Sequence, residues 1–232
     1  MVLVVDDFLF EVFWAKELHR ILRCLLHDLS NCLTGNLAMS ELFCIKESEA
    51  ISLANREVFR DNCYRERDVL ACLSNLQHEK WGENYIDLKA FLKQLVPIFN
   101  SILPSDNPLQ LIIESADDGV IKGEAVYLQR VFLALILELS EYLRTVGQRN
   151  VVLSLKNVSG FRVIHFVVND EGGFGERISK KIFCRLASEI EANTEVRGPM
   201  ILHFLQKTHG VVEMNTEGDV FSRIVLKFPL VR

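Results

Sequence analysis

Residues Leu18 to Leu42 read LHRILRCLLHDLSNCLTGNLAMSEL, a pattern that fits one amphipathic helix. Leu22, Leu25, Leu29, Leu33 and Leu37 recur at three- and four-residue steps and are expected to share one apolar stripe. His27 lies two residues from Leu25 and Leu29, about 200° around the helix axis, so it points away from that stripe. Arg20, Arg23, Asn31 and Thr34 share its side. A histidine at the centre of a polar helical face is open to chemistry. A free imidazole has a pKa near ~6.5, so near neutral pH much of it is the uncharged form, which attacks electrophiles.

That helix is expected to run from Asp7 to about Ile45, with Lys46-Glu47-Ser48 as a break and Ser48 and Glu49 opening a second helix to about His78. The second helix places apolar residues at Ile51, Ala54, Val58, Val69, Leu73 and Leu76 and keeps a polar middle around Arg60, Arg65 and Arg67. A short break between two long amphipathic helices predicts an antiparallel hairpin. Two hairpins from two chains would close a four-helix bundle, so a homodimer is expected. Counting back from a turn near Glu47 puts Arg67 level with His27. Arg60, Arg65 and Arg67 are then candidates to hold a phosphoryl group.

The turn Trp81-Gly82-Glu83-Asn84 marks a boundary, which divides the chain into residues 1–80 and 84–232. The second part mixes helices and strands. Helices are expected over Asp87–Ile102, Val126–Leu143, Ile178–Glu191 and Met200–Thr208. Strands are expected over Leu109–Ser115, Val151–Leu155, Arg162–Val168, Val211–Asn215 and Phe221–Phe228. The Ser159-Gly160 pair would close a hairpin, and Glu217-Gly218-Asp219 would turn the last strand pair. The implied class is α+β, a two-layer sandwich of helices on a sheet.

Composition bounds the rest. The 232 residues are 49% hydrophobic, enough for a substantial core. A net charge of −5 speaks against nucleic-acid binding. The six cysteines form no CxxC pair, which fits reduced thiols in a cytoplasmic protein rather than disulfides or a zinc site. No signal or membrane-spanning run is visible, so an upstream signal is expected from a soluble partner.

Five short motifs occur in one order. They are His27-Asp28-Leu29-Ser30-Asn31, then Leu128-Gln129-Arg130-Val131-Phe132-Leu133, then Val168-Asn169-Asp170-Glu171-Gly172-Gly173-Phe174-Gly175, then Gly198 to Gly210, and finally Thr216-Glu217-Gly218 with Val225-Leu226-Lys227-Phe228-Pro229. Together they resemble the core of a bacterial sensor histidine kinase over residues 7–232. The first resembles its phosphoacceptor box, the second the lead-in to its asparagine box, the third and fourth its two glycine boxes. The resemblance implies a dimerising phosphoacceptor hairpin, a four-helix bundle in the dimer, joined to an ATPase-like α/β sandwich.

Departures from the pattern point to a narrower resemblance. Glu138 stands where the resemblance puts a metal- and phosphate-binding asparagine, and Ala134 occupies an earlier asparagine position. A carboxylate there repels triphosphate. The second glycine box reads Val196-Arg197-Gly198-Pro199, and Pro199 removes an amide donor at a helix N-terminus. Asp170, whose counterpart contacts adenine, is retained with Gly172 and Gly198, as a vestigial nucleotide site. Such a chain resembles histidine phosphotransferases of the ChpT type. That resemblance implies a relay in which His27 takes phosphate from the aspartate of one response-regulator receiver domain and passes it to another. Asp28 would orient the ring and Asn31 would approach the phosphoryl group. Arg23, Thr34, Gly35, Ala38 and Arg60 would meet the receiver. No cofactor is expected in this chain, with Mg2+ supplied by the receiver. A divergent ATP-dependent kinase and a non-catalytic ATPase-like scaffold or anti-sigma module are the competing readings.

Overall fold

A computed structural model describes residues 7–45, 53–77, 85–104, 106–114, 119–170, 173–182, 197–215 and 222–231. The chain divides into two units. One is Leu18–His78, and the other is Met1–Glu17 with Glu79–Arg232. The start of the first long helix thus groups with the C-terminal unit rather than with the hairpin. Trp14, 7% exposed, explains this grouping: its ring lies 5.4 Å from the Arg130 guanidinium, which also covers Phe204 at 5.0 Å and Tyr127 at 5.8 Å.

The hairpin unit consists of α1 (Asp7–Ile45) from Leu18 onward and α2 (Leu53–Gln77). The stripe that α1 buries is not the one the leucine spacing predicts. Ile21, Leu25 and Cys32 are buried. Leu22 and Leu29 are only partly covered, and Leu33 and Leu37 are 49% and 61% exposed. The helix carries two apolar stripes on adjacent sides. Leu25 is the one member of the predicted set that falls squarely in the buried stripe.

The helices of the hairpin pair through polar contacts as well. Asn36 Nδ2 donates to Glu66 Oε2 at 2.9 Å and lies 3.7 Å from Cys63 Sγ. Gly35 approaches Asn62 so closely that a Cβ there would stand 2.9 Å from its Nδ2. This register corrects the count from a turn at Glu47. Residues near 70–75, rather than Arg67, come level with His27, a displacement of about one turn. The expected cap at Ser48 and Glu49, and the turn at Trp81–Asn84, lie outside the described residues.

The C-terminal unit is α+β, with a mixed sheet. Its elements are β1 (Tyr85–Asp87), α3 (Leu88–Ile102), β2 (Leu109–Ile113), β3 (Val120–Lys122), α4 (Ala125–Val146), β4 (Val151–Val158), β5 (Phe161–Val168), α5 (Gly173–Ile182), α6 (Arg197–Lys207), β6 (Val211–Asn215) and β7 (Ser222–Pro229). Five strands are ordered β2-β4-β5-β7-β6, with β2 and β4 parallel and the other pairs antiparallel. The short strands β1 and β3 pair separately. Neither shows a two-residue alternation long enough to be read from sequence.

Asp87 caps α3 by accepting from the amides of Lys89 and Ala90. The Ser159-Gly160 turn has positive φ at both positions (47° and 84°), which suits a two-residue hairpin loop. Leu153, Leu155, Ile164, Phe166, Ile224, Leu226 and Phe228 line the covered face of the sheet, all fully buried. Over them lies α4, whose residues from Val131 to Ser140 are all buried. The helix expected over Ile178–Glu191 instead begins at Gly173, because Asp170 caps it (below), and residues past Ile182 lie outside the described ones.

Candidate functional site

His27 is exposed, as its angle to the apolar stripe requires, and Arg23, Asn31, Thr34 and Ala38 are exposed on the same side. Helical geometry places the other four within about 40° of His27. Asn31, one turn along, sets its Nδ2 at 3.2 Å from His27 Nδ1. Asn31 is therefore a hydrogen-bond partner of the ring. Asp28 lies about 100° around the helix and is half-buried towards the Leu25–Cys32 stripe. Thr34 turns its hydroxyl back to Ser30 O at 2.8 Å. Gly35 faces Asn62 of its own hairpin, so the helix pair itself accounts for that glycine. Arg60 is exposed and lies 3.5 Å from its neighbour Asp61, a pairing that holds little in solvent.

On the other side of the His27 stripe, α1 presents Leu26, Leu33 and Leu37, and α2 presents Val58, Tyr64 and Leu70. Each is about half exposed. Scattered exposed leucines are ordinary, but three at heptad-like spacing on one helix form a seam.

The expected nucleotide residues lie in the C-terminal unit, and here side chains turn inward. Asp170, at the end of β5, is 8% exposed. Its Oδ1 accepts from Ser222 N at 3.0 Å and Ser222 Oγ at 2.7 Å, and its Oδ2 accepts from Phe174 N at 2.5 Å. The Tyr142 hydroxyl of α4 donates to the same carboxylate. A carboxylate has about four acceptor sites, so these donors use its capacity. Gly175 N donates to Ser222 Oγ at 2.6 Å and Gly173 N to Asp170 O at 3.3 Å, so the described amides of the first glycine box are also taken. Gly172 itself lies outside the described residues. A Cβ on Gly173 would stand 2.6 Å from the Tyr142 hydroxyl, which explains why glycine stands there. Burial, then the hydrogen bond to and the charge of Asp170, push the Tyr142 hydroxyl up to about 12.

Glu138 is 1% exposed and does not face an open phosphate pocket. Arg177 of α5 reaches it, with Nε at 3.9 Å from Oε2, while Nη2 lies 3.7 Å from Glu141. A buried carboxylate needs such a cation nearby. Arg177 was not legible as a partner, because α4 and α5 are separated by two strands in the sequence. Gly198 is buried in the first turn of α6, and Pro199 follows, where a missing amide costs no helical hydrogen bond. Beside Asp170 a polar cavity of about 450 Å³ is lined by Gln148, Arg149, Asn150 and Asn169. Among the described residues no group of His, Cys, Asp and Glu is arranged to hold a metal ion, and no helix is long and apolar enough to cross a membrane.

This architecture is an α+β unit with a mixed sheet and packed helices. Among solved structures, the chain is similar to a bacterial phosphotransferase (TM-score 0.52, 7% identity, 97% of this chain and 98% of that one). It is also similar to full-length ShkA in complex with AMPPNP (TM-score 0.51, 11% identity, 92% of this chain and 46% of that one). A mycobacterial sensor histidine kinase, MprB, aligns over 63% of this chain and 96% of its own, at 10% identity and TM-score 0.48. At these identities the likeness is one of fold. No protein-family profile matches the chain, and no curated protein matches it in sequence.

Proposed function

We propose that the protein is a phosphorelay histidine phosphotransferase that moves a phosphoryl group between receiver-domain aspartates through His27, without using ATP. The observation that carries this reading is the exposed His27 imidazole, met by Asn31 at 3.2 Å on an otherwise polar, open stripe. The inward-turned Asp170, Glu138 and glycine-box amides support the second half of it. Nucleotide would have to displace four hydrogen bonds at Asp170 and the Arg177 pairing at Glu138. The similarity of fold to a bacterial phosphotransferase agrees with this reading.

The chemistry asks little of this chain. The imidazole lone pair attacks the phosphorus of an aspartyl phosphate, an N–P bond forms, and the P–O bond to the carboxylate breaks. A Mg2+ held by the receiver would supply charge neutralisation for the transferring group. Asn31 selects the attacking nitrogen. With Nδ2 presented to Nδ1, the neutral ring carries its proton on Nε2. With the amide reversed, Oδ1 accepts from Nδ1–H and the Nε2 lone pair is free. Asn31 is thus a positioning residue.

The exposed seam of Leu26, Leu33 and Leu37 supports a homodimer closed as a four-helix bundle, which would cover those leucines and leave His27 at the surface. The polar cavity beside Asp170 favours the second reading, a divergent kinase that still holds nucleotide. One assay separates the two. Wild type and His27→Ala are offered either radiolabelled ATP or a phosphorylated receiver domain. Label should pass only from the receiver and only to wild type. Label from ATP on His27 would favour the kinase, and receiver label surviving in His27→Ala would overturn the relay.

A further inference from the structure

On the face of the sheet turned away from the helices, β4 to β7 form a concavity of about 500 Å³ that the proposed relay does not use. Its lining includes Lys156, His165, Glu213, Arg223 and Lys227 over a floor of Val163 and Val225. The strand register fixes how the cations stand. Val163 is paired with Lys156 on one side and Lys227 on the other, so these lysines flank β5 in one row, about 10 Å apart at the backbone. His165 is the next residue of β5 on this face. Arg223 stands opposite Val167, beyond His165. The imidazole therefore sits inside a ring of cations contributed by strands on both sides.

We propose that this concavity is a binding site for a compact polyanion, a small molecule bearing phosphate or carboxylate groups, centred on His165. Among the lining residues Lys156, Arg223 and Lys227 are cations, and the carboxylate Glu213 is paired with Lys227. The volume falls within the roughly 300–1,000 Å³ usual for small-molecule sites. Cations set about 10 Å apart across two strands favour a ligand with more than one anionic group. His165 Nε2 is shielded from solvent, so an anion in the concavity acts on the ring through its charge.

The titration of His165 supplies a readout. Burial, then Lys156 and Arg223, hold its pKa below the usual histidine value, with Lys227 acting in the same sense and Glu114 opposing. An anion among these cations reverses the balance and draws a proton onto the ring. Binding should therefore strengthen as pH falls from about 7.5 to about 6.

The test uses the full chain, with the His165 imidazole resonance assigned through His165→Asn. Pyrophosphate and citrate are titrated separately, each against sodium chloride at matched ionic strength. The expected result is an upward move of the His165 titration midpoint with one or both. Lys156→Gln and Arg223→Gln should each weaken binding by about tenfold or more without changing the thermal melt, and Arg223→Lys should restore most of it. A response to pyrophosphate alone assigns the site to phosphate compounds, and a response to citrate alone to carboxylates. A midpoint unmoved by either at millimolar concentration would overturn the proposal. So would an equal move in sodium chloride, or binding indifferent to both charge-removing variants.

Discussion

The two units of this chain treat their polar side chains in opposite ways. In the hairpin, His27, Arg23, Asn31 and Thr34 stand on an open face, and the contact that His27 makes is one loose hydrogen bond from the next turn. In the C-terminal unit, Asp170, Tyr142, Ser222, Glu138 and Arg177 face one another, and their hydrogen bonds and ion pairs tie α4, α5 and β7 together. Open groups remain able to meet a substrate. Saturated groups contribute to stability, because each would leave a buried partner unsatisfied if removed. The difference teaches that a residue expected to meet a ligand can have its bonds taken up within the fold. Asp170 is such a residue.

The contrast can be attacked first at its strongest point. His27→Ala should abolish receipt of phosphate from a receiver while leaving the thermal melt unchanged, since the side chain is exposed. Asp170→Ala should do the reverse, lowering stability by more than about 3 kcal/mol in denaturant titration, because it strands several buried donors at once. A melt unchanged by Asp170→Ala would mean that this carboxylate is held for a ligand after all.

The exposed seam is the next target. Leu33→Glu combined with Leu37→Glu should weaken self-association by at least about a hundredfold in analytical ultracentrifugation, given about 1.5–3 kcal/mol for each leucine buried. Helix content should stay the same, and an unchanged dimer would place the interface elsewhere. Tyr142→Phe has a smaller effect, about 2 kcal/mol, from the lost bond to a charged acceptor. It also carries a pH signature. The folded hydroxyl keeps its proton to about 12, whereas an unfolded tyrosine ionises near ~10. The unfolded state sheds its proton first, so this stabilisation is complete below about pH 10 and is lost as pH rises towards 12. In Tyr142→Phe that alkaline loss should be reduced, which a series of melts between these values would show. Least of all, Gly35→Ala should change stability by less than about 1 kcal/mol. The gain in helix propensity offsets the small shift asked of the Asn62 amide.

Much of the architecture was legible because it rests on local pattern. The span of α1, the buried α4, the Ser159-Gly160 hairpin and the closing strand pair follow from periodicity and turn residues. Even His27 pointing outward needs only the 3.6-residue repeat. The leucine stripe was misjudged for a reason of the same kind. Leu22, Leu25, Leu29, Leu33 and Leu37 straddle two adjacent apolar faces, and hydrophobicity alone does not say which of the two meets α2. That choice is made by Ile21, Leu25 and Cys32 packing inward.

From sequence alone came an amphipathic helix with a histidine on its wet side, an α+β unit following it in the chain, and the expectation of a degenerate set of nucleotide motifs. These are properties of residue type and spacing along one strand of chain. Tertiary structure alone decided which partners these residues meet. Glu138 meets Arg177 across helices, Tyr142 and Ser222 close on Asp170 from opposite ends of the unit, and Lys156 and Arg223 are brought around His165 from separate strands. The physical reason is that a hydrogen bond or an ion pair is set by distance in space. A residue's type says what it can bond, but only the folded chain brings it the partner.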